Sequence, residues 1–128
     1  MTPVWLRKEA IIILHDESLA DHGGLPGFRD KNLLDSALAR PENLFHYGEP
    51  ELADLAAEYA FGIVRNHPFL DGNKRAGFLS AATFLLINGQ MLRASEADAT
   101  NMTLALAASD IDAEAYAAWL KENLEPVS

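Results

Sequence analysis

Cysteine is missing altogether from the 128 residues. Its absence excludes disulfides, thiolate nucleophiles and cysteine-based zinc sites, and it suits a reducing, cytoplasmic setting. Basic residues are scarce: ten Lys and Arg face nineteen Asp and Glu, for a formal net charge of -9. A general grip on nucleic-acid backbone needs a basic surface, so direct DNA binding is not expected, and a helix-turn-helix reader least of all. A small local anion site is still compatible with that balance. Long apolar runs are lacking too. The longest, Ala76 to Ile87, is broken by Ser80 and Thr83 and is too short to span a bilayer, so no membrane partner is expected. The early "RKEAIIIL" stops at His15 with no small-residue cleavage site behind it, and no signal peptide is expected. Repeats, low-complexity tracts, linkers and the G-x-x-x-x-G-K-[ST] phosphate loop are all absent.

What is present is enough for one core. A chain of this length forms one compact domain, here 1–128, burying roughly two-thirds of its unfolded surface, and the 49% hydrophobic fraction agrees. The pattern is all-α, a bundle of about six helices. Thr2-Pro3 suits a cap and first position, with Leu6, Ala10, Ile13 and Leu14 at helical spacing and Gly23-Gly24 as the stop. Asp30 caps a short helix through "KNLLDSALAR" that should end before Pro41. After Pro50, Leu52, Leu55, Ala56, Tyr59, Ala60 and Ile63 make a clean stripe up to Pro68. A fourth helix runs from Gly72 or Asn73 to Asn88-Gly89, apolar all round, as a central buried helix would be. Ser95 with Asp98 starts a fifth, and Ile111, Ala115, Ala118 and Trp119 mark a sixth. No strand alternation stands out.

The stretch "HPFLDGNKRAG", His67 to Gly77, crowds its polar groups against the start of that buried helix. The first turn of a helix leaves backbone N–H groups without partners and favours negative charge, so it is an anion site. Lys74 and Arg75 run against the usual preference there, and a bound phosphate would explain them. Asp71 can hold Mg²⁺ on the same phosphates, Asn73 can orient an oxygen, and neutral His67 can take the proton of an incoming hydroxyl. Pro68 stiffens the loop, and Phe69 can plug into the core so that His67 faces outward. Each residue also has a plainer explanation: Asp71 as a cap, the two cations as solvated or paired with acids, His67 as a satisfied loop histidine. Elsewhere, His15 and His22 lie on one helix face with Asp16 nearby. Their spacing matches no recognised metal-ligand pattern, which leaves a surface or loop-packing role. His46 reads as a loop residue near the rim of the site, and Trp5 and Trp119 as core aromatics.

"HPFLDGNKR" resembles the signature loop of the Fic/Doc superfamily, H-P-F-x-[D/E]-G-N-G-R-x-x-R, and matches seven of its eight leading defined positions. "LHDESLADHGGLPGFRD", "ENLFHYGEP" and "LLINGQ" extend the likeness to the death-on-curing, Doc-type branch. Two positions depart from the AMP-transferring enzymes: Lys74 stands in place of Gly and Phe78 in place of the second Arg. The resemblance implies a toxin of a toxin–antitoxin pair, transferring the γ-phosphate of ATP to a hydroxyl of elongation factor Tu and halting translation. It implies His67 as general base, Asp71 as a catalytic acid orienting the base or holding Mg²⁺, and Gly72, Asn73, Lys74 and Arg75 as the phosphate holders. ATP and Mg²⁺ are the implied cofactors, and a protein antitoxin beside the site the implied partner, since no inhibitory [S/T]-x-x-x-E-[G/N] motif occurs. "HGGLPGF" would line the site or guide the target chain, although turn chemistry explains Gly23, Gly24 and Gly27 more simply. AMP transfer and a non-catalytic anion- or partner-binding domain are the alternatives.

Overall fold

A computed structural model describes residues 2–127. Six helices follow in order among them: α1 (Lys8–His22), α2 (Lys31–Tyr47), α3 (Leu52–Asn66), α4 (Asn73–Ile87), α5 (Glu96–Ala107) and α6 (Ala113–Glu122). The all-α architecture expected from the pattern is therefore present. One small addition went unseen in the sequence: β1 (Gln90–Leu92) pairs antiparallel with β2 (Leu124–Pro126), tying the end of the chain to the exit of α4. Three-residue strands are too short to show alternation.

α3 sits in the middle and packs on α2, α4 and α6. Its stripe of Leu55, Ala56, Tyr59, Ala60 and Ile63 is buried as the spacing requires. Small residues set how closely its neighbours approach. A Cβ on Gly62 would lie 3.0 Å from the carbonyl oxygen of Ala37 in α2, and one on Gly77 of α4 would meet Val64 Cγ1 at 2.8 Å. Any side chain at these two positions forces the helices apart, an overpacking error of about 1–3 kcal/mol. α4 is buried through Ala76, Ala81, Phe84 and Leu85, and Ser80 satisfies its hydroxyl by donating to Ala76 O at 2.7 Å. The all-round burial ends at Leu86 and Ile87, which are 47% and 42% exposed.

Four expectations need correction. Thr2-Pro3 does not start a helix; α1 starts at Lys8, and the segment before it is held in non-helical form by distant side chains. Asn88 brackets Val4, accepting from its N–H at 2.7 Å and donating to its carbonyl at 2.9 Å, and the Tyr59 hydroxyl does the same for Leu6. Those bonds satisfy the backbone groups that a helix would otherwise pair. Pro41 does not stop α2. It lies inside the helix, fully buried, one turn beyond the point where Gly62 clamps Ala37, and packing outweighs the lost backbone bond. His46 consequently lies in the last turn of α2, against Phe45, rather than in a loop. Finally, the buried face of α6 is Tyr116, Ala117, Trp119 and Leu120, while Ala115 and Ala118 are exposed. Trp5 packs between Phe45 and Phe84 and Trp119 against Tyr116, as core aromatics.

Candidate active site at the start of helix α4

The loop between α3 and α4 carries the motif. His67 caps the C-terminus of α3 in the left-handed region, φ 56° and ψ 55°. A side chain other than glycine is strained there by about 1–3 kcal/mol, so its surroundings must hold it. Arg29 does this from outside the motif. Its Nε donates to His67 O and its Nη2 to Asn66 O, both at 2.7 Å. These are terminal carbonyls of α3, where a cation is also favoured by the helix dipole. The ring of His67 is exposed while Phe69 is 1% exposed, so the aromatic side chain anchors the loop and the imidazole faces out.

Asn73 closes the loop from the other side. Its Oδ1 accepts from Phe69 N–H at 3.0 Å, and its Nδ2 donates to Phe69 O at 3.0 Å and to His67 Nδ1 at 2.9 Å. The amide is 4% exposed, and both its ends hold the loop and the histidine. Because Asn73 donates to Nδ1, a neutral His67 ring carries its hydrogen on Nε2.

The sequence segment before α2 forms a second wall. Phe28 bridges Phe69, Arg29 N–H donates to Pro68 O at 2.7 Å, and Leu70 N–H donates to Gly27 O at 3.1 Å. Asp71 leans on this wall: its carboxylate accepts from Gly72 N–H at 2.9 Å and from Leu25 N–H at 3.3 Å. Gly24 does more than turn the chain. Its φ is +126°, and a Cβ there would stand 2.8 Å from Leu19 Cδ2 and 3.0 Å from Asp71 Oδ2.

Helix α4 then starts on Gly72, φ +77°, with no side-chain cap. Lys74 is exposed in its first turn, and Arg75 is fixed beside it, donating from Nε to Ser18 Oγ at 3.0 Å and from Nη2 to Gly23 O at 3.2 Å. Among the described residues neither cation pairs with a carboxylate, although Lys8, Arg40, Arg93 and Lys121 all do. Both line a groove of ≈ 660 Å³ between α1, α4 and α5, walled by Leu14, Phe78, Leu79 and Leu104. Phe78 makes that wall apolar at the very position where a second arginine would stand. His67, Asp71, Gly72, Asn73, Lys74 and Arg75 thus gather on one short stretch, five of them around an uncapped helix start. Two groups that hold them, Arg29 and His15, lie far off in sequence and had no signal of their own. His15 and His22 do share a face of α1, but among the described residues no cluster of three or more metal-ligating side chains exists. His15 packs under the motif loop instead, and His22 lines the groove.

The sequence profile of the Fic/DOC family matches residues 5–85, which include the whole loop and most of α4. The chain belongs to the Fic/Doc family. Two relatives place it in the Doc-type branch. It is 32% identical over 117 residues to the protein named "Protein kinase doc" of Escherichia phage P1, covering 91% of this chain and 92% of that one. It is 40% identical over 102 residues to "Toxin Doc" of Mycolicibacterium smegmatis, covering 77% and 78% respectively. Among the described residues of this Fic/Doc chain, no helix is long and apolar enough to cross a membrane.

Proposed function

We propose that this Doc-type chain is the toxin of a toxin–antitoxin pair, a cytoplasmic phosphotransferase that modifies a Ser or Thr hydroxyl of a translation factor, elongation factor Tu by family resemblance. The names of its two relatives, a kinase and a toxin, support this reading. The observation that carries it is the pair of cations, neither paired with a carboxylate among the described residues, on an uncapped helix start beside an exposed histidine whose backbone is strained. Stability alone would put an acid there.

ATP with Mg²⁺ would supply the phosphoryl group. The residues present fit both. First-turn N–H groups, Lys74 and Arg75 bind phosphate oxygens, Arg75 with the N–H groups left over from Ser18 and Gly23. The exposed Asp71 carboxylate offers a hard oxygen ligand, each oxygen holding only one backbone N–H. Among the described residues no three-ligand cluster exists, so a metal here would take phosphate oxygens and waters beside Asp71, as magnesium usually does.

His67 takes the proton of the target hydroxyl. Its lone pair lies at Nδ1, where Asn73 donates. Either the hydroxyl displaces Asn73 at Nδ1, or the ring hydrogen moves from Nε2 to Nδ1 as the amide turns away. Arming the base thus breaks one hydrogen bond, a cost of about 1 kcal/mol. Transfer of phosphate rather than AMP is favoured by Lys74, which fills the position of a small glycine, and by Phe78, which removes an outer-phosphate ligand. The groove beside the site, with Leu104 45% exposed and Glu17, Asp21 and Glu96 on its lining, suits an antitoxin helix or tail bearing apolar and basic residues.

Mass spectrometry of host proteins after induction tests the reading. One added phosphate on a Ser or Thr, missing with His67→Ala, is the expected result. One added nucleotide would transfer the case to AMP transfer, and no modification together with intact growth arrest by His67→Ala would leave a binding domain.

A further inference from the structure

We propose that His15, on α1 and far from the motif in sequence, is a positioning residue for Asp71. The inference rests on the reading that Asp71 meets magnesium on the nucleotide. His15 is 1% exposed, an unusual place for an imidazole without a task. Its Nε2 donates to the carbonyl oxygen of Asp71 at 2.7 Å, a bond spanning 56 positions of sequence. That bond fixes the ring's tautomer, since a carbonyl only accepts. The ring also lies flat on Phe69, centroids 3.7 Å apart and planes 9° apart, and Phe28 stacks on Phe69 in turn at 5.2 Å. Imidazole and loop are therefore locked together as one stack.

The bond matters because of what else holds Asp71. Among the described residues its carboxylate bonds only to backbone N–H groups, of Gly72 and Leu25, and to no side-chain donor. Where those oxygens sit is decided by the Asp71–Gly72 backbone, and His15 holds that peptide's carbonyl. Gly72, with φ +77°, fits beneath the ring: a Cβ there would be 3.5 Å from His15 Nε2. The next turn of α1 continues the same contact. Leu19 presses on Gly24 and Gly72, and Ser18 holds Arg75. His15 is thus the polar member of an α1 face that sets the acid and the arginine relative to each other. Groups at this remove from a metal typically change its affinity by roughly 10–100-fold when removed.

Two substitutions separate the hydrogen bond from the stack. His15→Phe keeps a flat ring on Phe69 and loses the donor. His15→Gln loses the ring and keeps an amide N–H in reach of Asp71 O. The measurement is calorimetric titration of the full chain with ATP, in excess Mg²⁺ and again in EDTA, with melting temperature recorded for each variant and Asp71→Asn setting the scale. The wild type should bind ATP more tightly with Mg²⁺. His15→Phe should lose roughly 10-fold or more of that gain while its binding in EDTA is unchanged, and His15→Gln should recover most of it. A purely structural histidine would give the opposite ranking, with Phe the better replacement in both melting and binding. Full magnesium-dependent gain in His15→Phe, or equal loss in both variants, overturns the proposal while leaving Asp71 as the metal's ligand. Wild-type binding indifferent to Mg²⁺ overturns the reading of Asp71 itself, and the proposal with it.

Discussion

The helix starts of this molecule fall into two kinds. α2, α5 and α6 begin on Asp30, Ser95 and Asp112, each accepting a hydrogen bond from a first-turn N–H, and Asp54 in α3 reaches back to the N–H of Glu51 at 2.8 Å. α1 has no side-chain cap either, but Glu9 stands in its first turn, whereas α4 begins on Gly72 with no cap, no acid in its first turn and two cations instead. Each of the four capped helices follows the chemistry that stabilises a helix. α4, buried along much of its length, does not. Its stability comes from packing along its length against α3 and α1, which leaves the N-terminus available for a ligand. Buried polar groups are satisfied in both places, Tyr116 with Thr103 at 2.9 Å and Asn73 with Phe69 and His67, so what sets the start of α4 apart is the exposed His67, Asp71 and Lys74 facing solvent.

The comparison can be broken at either end. The largest effect should follow removal of the imidazole. His67→Ala should lower the rate of label transfer from ATP to protein by roughly 10²–10⁴, about 2.7–5.5 kcal/mol in the barrier, with a melting curve close to wild type. Next come the buried tyrosines. Burial pushes the hydroxyls of Tyr59 and Tyr116 up to about 12. An unfolded tyrosine titrates near 10, so between these values the unfolded chain holds fewer protons and stability falls as pH rises, by up to about 1.4 kcal/mol per pH unit for each ring. Denaturant melts from pH 9 to about pH 12 should show this decline, and Tyr116→Phe should flatten part of it. Flat stability across that range would contradict the burial of both rings.

The smaller effects test the two kinds of helix start directly. Asp112→Ala should cost about 1 kcal/mol of stability, seen in urea melts, and leave transfer intact. Lys74→Glu should do the reverse. An acid in the first turn of α4 should stabilise the chain by about 0.3–1 kcal/mol while abolishing nucleotide binding. If Lys74→Glu both weakens the fold and spares binding, α4 begins like any other helix.

Much of this was legible in the chain itself. The helix count, the α3 stripe, the caps at Asp30 and Ser95, and the buried Phe69 under an outward His67 all follow from local spacing. What was hidden shares one cause: it depends on partners far off in sequence. Arg29 carried no signal in the sequence, yet it closes the end of α3 through Asn66 and His67. His15 looked like a packing residue, and nothing near it announces Asp71. Pro41 carries a local stop signal, and its full burial in the folded chain overrides it. Asn73 was assigned to the phosphates because its amide suited them, and only the folded loop shows both ends of that amide already engaged.

The central claim is that the start of α4 holds a nucleotide whose terminal phosphate moves to an alcohol under the care of His67. The direct measurement is transfer of radiolabel to protein, with purified chain, host extract and Mg²⁺, from ATP labelled at either the α- or the γ-phosphate. The account predicts protein-bound label from the γ-position alone, lost in His67→Ala. Label retained from the α-position would contradict it.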